Sequence, residues 1–311
     1  MHWYSRRDFV KGASFTLAAQ RAHWFQGATP GAPIDLKECV LVTSQNPTPR
    51  EVKALTILSE ECYKRSGLTW KVQSAGKSTA PVTIYAGLAS SLGKVGPRIQ
   101  SLGSNSETYA IQAGSDGGHH WITVAGSDER GVLFGVGQLL RLTDFGRQTA
   151  SIDPSRFPMH SSPKYPLRGH QLGYRPKTNA YDAWTVEMWD QYIRDLAIFG
   201  TNAIEIIPPR SDDEPDSPLF PLPPAQMMTE MSRIADSYGL DVSVWYPAMD
   251  KDYGDSQTVN AALAEWEAIF KMLPRVDVVF VPGGDPGHTE PKYLLSLLQK
   301  QKAGLRKYHP K

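Results

Sequence analysis

The chain has 311 residues, with 33 Lys and Arg against 32 Asp and Glu and a formal net charge of +1. That balance, with no Lys/Arg run interleaved with aromatics, offers no basic face to nucleic acid or an anionic membrane. No apolar stretch reaches the roughly 18 residues of a membrane-spanning helix, and two cysteines cannot build a disulfide framework or a Cys-based zinc site.

The first residues read as a targeting segment. Ser5-Arg6-Arg7-Asp8-Phe9-Val10-Lys11 carries the paired arginines, following Phe and closing Lys of a twin-arginine export signal, and Gly12 to Ala19 is its short apolar region. A disordered basic start is the alternative. Export places the protein in a bacterial periplasm or outside the cell and sets residues 1–32 apart from the fold.

Residues 35–149 read as one small α/β domain. A strand at 39–43 is broken by Asn46-Pro47, and a helix follows with Thr48 as N-cap, Pro49 at its first position and Glu51 completing a capping box. Val52, Leu55, Leu58 and Cys62 form its apolar stripe, and Gly67 stops it. Cys39 and Cys62 then lie near one another, as one disulfide or as two buried thiols. Strands follow at 69–72, 82–86, 108–112 and 121–125, the last two joined by the turn Asp116-Gly117-Gly118. His119 and His120 sit beside that turn without metal-ligand spacing and read as surface loop residues. A helix capped by Ser127 closes the domain, and Gly131 and Gly135 give it a flat face for packing on a sheet.

Residues 150–166, rich in Pro and Ser, read as a linker. Beyond it, strands begin near Leu167, Ala203, Asp241 and Val276, at spacings of 36, 38 and 35 residues. Each is followed by an amphipathic helix, at 184–199, 224–238, 258–273 and 291–308. Four βα units at constant spacing predict a parallel sheet, as the first half of a (β/α)8 barrel over 167–311 or as a four-stranded open sheet. A half barrel leaves a wide apolar interior uncovered, which predicts self-association. The fourth strand, 276–281, reads as buried on both faces and stops at Pro282. Gly283 and Gly284 then turn the backbone, and Asp285 stands at a strand's carboxyl end, where α/β proteins place their chemistry, or caps a loop turn.

Particular residues add a family resemblance. Arg168-Gly169-His170-Gln171-Leu172, after Tyr165-Pro166, resembles the first barrel strand of the family 20 β-N-acetylhexosaminidases. Ile193, Asp195, Leu196, Ala197 and Asn202 fall on that family's next helix and the start of its second strand, and Gly283-Gly284-Asp285 matches its Gly-Gly-Asp-Glu. The helix over 131–142 is similar to the last helix of the small domain that precedes such barrels, a pairing shared with α-glucuronidases and α-N-acetylglucosaminidases. The resemblance covers residues 35–311.

It implies a carbohydrate substrate and hydrolysis of O-glycosidic bonds. Arg168 would present its fork of donors to sugar hydroxyls, and Asp285 would orient and polarise a substrate acetamide. Three departures count against ordinary hexosaminidase chemistry. Pro286 replaces the family's general-acid glutamate, Gly173 replaces an aspartate five residues after Arg168, and Glu205-Ile206-Ile207 replaces His-Trp-His. Glu205 either lines the barrel or pairs with Arg168, and His288 is a further acid, base or hydroxyl donor. Trp245 and Tyr246 stack on a sugar or pack in the core, and Asp250 follows them. Asp212, Asp213, Glu214 and Asp216 read as a solvated loop cluster. The expectation is therefore a glycoside-hydrolase-like protein with Asp285, His288 and Glu205 catalytic and Arg168, Trp245, Tyr246 and Asp250 binding. Nothing in the sequence calls for a metal or organic cofactor. A non-catalytic carbohydrate-binding relative and a truncated, inactive fragment are the alternatives.

Overall fold

The computed structural model describes residues 32–76, 78–99, 102–176, 181–207, 216–282 and 289–310. Asp285, His288, Asp212, Asp213, Glu214 and the twin-arginine segment lie outside the described residues.

The small domain begins with β1 (Ile34–Asp35), β2 (Cys39–Thr43), α1 (Pro49–Ser66), β3 (Lys71–Ser74), β4 (Val82–Leu88) and a short α2 (Ala89–Leu92). The hairpin β5 (Tyr109–Asp116) and β6 (His119–Gly126) follows, then α3 (Glu129–Leu142) and β7 (Asp144–Gly146), β8 (Thr149–Ile152) and β9 (Met159–Ser161). Six strands form one sheet in the order β3-β2-β4-β6-β5-β9, with β5 antiparallel to both its neighbours. β1, β8 and β7 make a separate antiparallel sheet.

Local chemistry explains why α1 starts and stops where it does. The Thr48 hydroxyl accepts from the Glu51 N–H (3.2 Å), the Glu51 carboxylate accepts from the Thr48 N–H (2.8 Å), and Gly67 ends the helix in the left-handed region at φ 75°. The other Glu51 oxygen accepts from the Leu88 N–H at 2.8 Å, so one side chain caps the helix and fixes it to the end of β4. Cys39 and Cys62 are free, buried thiols, and burial pushes both upward. His119 and His120 open β6 rather than lying in a loop, and His119 Nε2 is 3.2 Å from the Thr83 hydroxyl.

α3 joins the two halves of the molecule. Its cap is Asp128, whose carboxylate accepts from the Gly131 N–H at 2.8 Å, because a charged acceptor suits the positive end of a helix better than the expected Ser127 hydroxyl. Ser127 instead accepts from the Thr108 N–H at 3.1 Å. A Cβ on Gly131 would lie 2.3 Å from the Thr108 carbonyl oxygen, and one on Gly135 would lie 2.6 Å from Val124 Cγ1, so this face lies flat on the sheet. A Cβ on Gly137 would come within 2.4 Å of the Ile198 carbonyl oxygen, on the next domain's first helix. The stretch expected to be a linker contains β8 and β9, and β9 adds to the sheet edge along β5. Its prolines mark turns between strands rather than a free tether.

The second half alternates β10 (Gly169–Leu172), α4 (Val186–Ile198), β11 (Ala203–Ile206), α5 (Pro224–Ser237), β12 (Asp241–Trp245), α6 (Ser256–Met272), β13 (Val278–Phe280) and α7 (Pro291–Tyr308). The four strands form one parallel sheet in chain order. Leu172, Ile204, Ile206, Val242 and Val244 face the helices and are fully buried with Trp189, Ile193 and Met231. The chain is thus a small α/β domain followed by the first four βα units of a (β/α)8-type barrel. The fourth strand is not buried on both faces: Val278 and Phe280 are each 52% exposed, because the sheet's inner face is open. Among the described residues no helix is long and apolar enough to cross a membrane.

Candidate functional site

Parallel register decides which side chains share the inner face. Gln171, Glu205, Ser243 and Val278 lie in one row across the four strands. Trp245 and Phe280 pair in the row nearer the carboxyl ends, with Ile207 beside them just past β11. Glu205 is half-buried at the centre of this surface. Gln171 Nε2 donates to one of its oxygens at 2.8 Å, and the Ser243 hydroxyl donates to the other at 3.2 Å. Among the described residues no further donor reaches this carboxylate. A carboxylate held by two neutral donors suits a base, a nucleophile or a hydroxyl acceptor. Of the two expected roles for Glu205, lining the barrel is the one seen.

Arg168 is placed at the wrong end of its strand for a sugar ligand. It precedes β10, and its guanidinium donates to Glu107 (2.5 Å) and to the carbonyls of Gly200 (2.7 Å) and Tyr165 (2.7 Å). Glu107, 6% exposed, also accepts from Asn202 Nδ2 (3.0 Å) and Arg130 (3.1 Å). Arg130 continues to Asp241, and Arg275 joins Asp241 (2.8 Å) to Asp277 (2.6 Å). Burial alone would lower the pKa of Arg130, but its bonds to Asp241 and Glu107 outweigh that and raise it. These groups all stand at the amino ends of β10 to β13, the face of a barrel that serves stability. Arg168 and Asn202 therefore tie the barrel to the small domain. A cleft of about 320 Å³ beside them, lined by Tyr109, Phe134, Arg141 and Phe199 among others, belongs to this same interdomain face.

A second tie lies between helices. Arg194, 4% exposed, reaches Glu60 (2.7 Å) and Glu61 (3.4 Å) on α1 and the Tyr238 hydroxyl (3.1 Å) after α5. Burial pushes the Glu61 carboxyl up, but Gln191 and the charges of Lys64, Arg65 and Arg194 outweigh it and hold it below the usual carboxylate range.

The remaining expected residues divide between core and strand ends. Tyr246 is 1% exposed, with its ring 3.9 Å from Trp266 and its hydroxyl donating to Glu265 at 2.5 Å, so it packs under α6 and is not a sugar platform. One residue earlier the strand's alternation turns Trp245 to the inner face, half-buried. Asp250 is half-buried in the loop after β12, where its N–H donates to the Tyr253 hydroxyl at 3.1 Å. Asp216, the described member of the loop cluster, accepts from the neighbouring Ser217 N–H at 2.9 Å.

Arg175 was not anticipated. It lies three residues past β10, and its Nε is 3.0 Å from where a Cβ on Gly173 would sit, with Ile207 Cδ1 at 3.2 Å from the same point. Gly173, the departure from the family's aspartate, leaves the space that the Arg175 side chain occupies. The available signal was an arginine just beyond a strand's carboxyl end, masked by the better-matched Arg168 at the other end. Among the described residues no group of His, Cys, Asp and Glu is arranged to hold a metal.

No family model and no curated protein matches the chain. Solved structures do. A mutant β-hexosaminidase of Streptomyces plicatus, in complex with the product GlcNAc, superposes with a TM-score of 0.60 at 13% identity, over 91% of this chain and 62% of that one. A chitobiase of Flavobacterium johnsoniae gives 0.59 at 13% identity, over 92% of this chain and 50% of that one. A family 138 glycoside hydrolase targeting pectin rhamnogalacturonan II gives 0.56 at 16%, over 87% and 34%. The chain thus has a glycoside-hydrolase-like fold and spans between about a third and two thirds of these structures' lengths.

Proposed function

We propose that the chain is a glycoside-hydrolase-like protein acting on O-glycosidic bonds of a glycan, with the sugar held at the carboxyl ends of β10 to β13. The observation that supports it most is Glu205, a carboxylate on the open inner face with one neutral donor on each oxygen, in a fold shared with β-hexosaminidases. Glycoside cleavage takes a proton donor at the leaving oxygen and a carboxylate at the anomeric side of the bond. Glu205 serves as that carboxylate, and Asp285, beyond the end of β13, orients and polarises the substrate. Pro286 has no proton to give, so His288 takes the acid role. Arg175 and Asp250 bind sugar hydroxyls, and Trp245 supplies an apolar ring face. The twin-arginine-like start supports export to the periplasm or the cell exterior.

The test is release of p-nitrophenol from a panel of aryl glycosides, beginning with the N-acetyl-β-glucosaminide and the α-glucuronide. At least one is expected to be turned over, and Asp285→Asn to abolish that turnover without changing the melting temperature. Saturable sugar binding with no release from any member would replace hydrolysis with carbohydrate binding.

A further inference from the structure

A second apolar cluster, separate from the main core, lies beyond the carboxyl ends of β12 and β13. Ala248 and Tyr253 come to it from the loop after β12, Val259 and Ala262 from the first turns of α6, and Leu297 from α7. All five are buried, and the Tyr293 ring packs against them. Satellite clusters of this kind form under long loops and give them a floor.

Polar contacts fasten the same loop at both ends. The Ala248 N–H donates to the Pro282 carbonyl at 3.3 Å, just past β13. At the other end the Asp255 carboxylate accepts from the Thr258 N–H at 2.8 Å and caps α6. Between them Gly254 stands so close to α7 that a Cβ on it would lie 2.9 Å from Tyr293 Cζ. Tyr253 has its ring in the cluster, and its hydroxyl accepts from the Asp250 N–H at 3.1 Å.

We propose that Tyr253 is a positioning residue that holds Asp250 in place for the sugar. The inference rests on the proposed binding of a sugar hydroxyl by Asp250. The Tyr253 ring is wedged among Ala248, Val259 and Leu297, so its hydroxyl is a fixed point. Through the Asp250 N–H that point fixes the backbone that carries the carboxylate. A loop ordered before the ligand arrives has less freedom to lose on binding, which raises affinity without any added contact. Phenylalanine at this position fills the cluster equally well but offers the N–H no acceptor.

Hydrogen–deuterium exchange of the full chain, read beside aryl glycoside kinetics, tests it. Tyr253→Phe is expected to keep a melting temperature near that of the wild type. Its amides from Met249 to Asp252 are expected to exchange about tenfold faster, the equilibrium weight of one lost hydrogen bond. KM on the responsive glycoside is expected to rise about three- to tenfold with kcat little changed, as when a binding contact is weakened. In an Asp250→Ala background the same substitution should add nothing to KM, because Tyr253 acts through Asp250. Unchanged exchange in Tyr253→Phe would overturn the proposal, as would faster exchange with an unchanged KM. A KM increase that persists in full in the Asp250→Ala background would also overturn it. A wild type that turns over no glycoside, but whose loop loosens in Tyr253→Phe, would uphold the clamp and overturn the glycosidase reading instead.

Discussion

Glu107→Ala is expected to cost about 3 kcal/mol of folding stability, the low end of the range for breaking a buried ion pair, since Arg130 and Arg168 keep 21% and 24% of their side-chain surface. The carboxylate holds two guanidinium groups and the Asn202 amide at once, so its removal leaves two cations facing each other under the barrel. Glu107 also has a left-handed backbone at φ 61°, where a Cβ is strained. Glu107→Gly removes the same carboxylate while relieving that strain, and is expected to lose about 1 kcal/mol less than the alanine variant. Urea unfolding of the three proteins measures both differences. Wild-type midpoints in both variants would mean that the strut carries no load. Arg168→Ala should fall in the same stability series and leave sugar affinity unchanged under conditions where it remains folded; weakened sugar binding there would return Arg168 to the site.

Glu205→Gln is expected to lower kcat/KM on the responsive aryl glycoside by about 10²–10⁴-fold, the usual contribution of a positioned proton-transfer group. The amide keeps the side chain's size, so the melting temperature should stay close to that of the wild type. Its NH₂ group cannot accept from Gln171 or Ser243, so one of those donors must turn away. Glu205→Asp retains the charge but withdraws it by one methylene, and an intermediate rate is expected. Full activity in the glutamine variant would remove Glu205 from the chemistry and leave it as an internal brace of the sheet.

Local signals carried most of the fold. The capping box at Thr48 and Glu51, the Asp116-Gly117-Gly118 turn and the four repeats of strand and helix are each specified by neighbours in sequence, and all appear in the structure. What sequence obscured depended on distant partners. The stretch before the barrel is a strand because β5 offers it an edge, a fact outside its own Pro-rich composition. The fourth strand has the apolar run of a two-faced interior strand but only helices on one side to cover it.

The site was legible in part for the same reason. Alternation along β11 left Glu205 two outcomes, and only the register with Gln171 and Ser243 decides between them. Trp245 and Tyr246 are adjacent, so one had to face the helices, yet which one depends on the pairing of β12 with β13. Arg168 matched a family pattern in sequence, but its place before the first strand puts it on the stabilising face. Arg175, without such a match, stands where chemistry is placed in barrels.

The most direct test of the proposed sugar site is the position of a bound sugar in crystals of the full chain soaked with N-acetylglucosamine. The monosaccharide is expected at the carboxyl ends of the strands, in contact with Glu205, Arg175 and Trp245. Sugar seated instead in the interdomain cleft beside Arg168 and Arg141, or no bound sugar at saturating concentration, would contradict that placement.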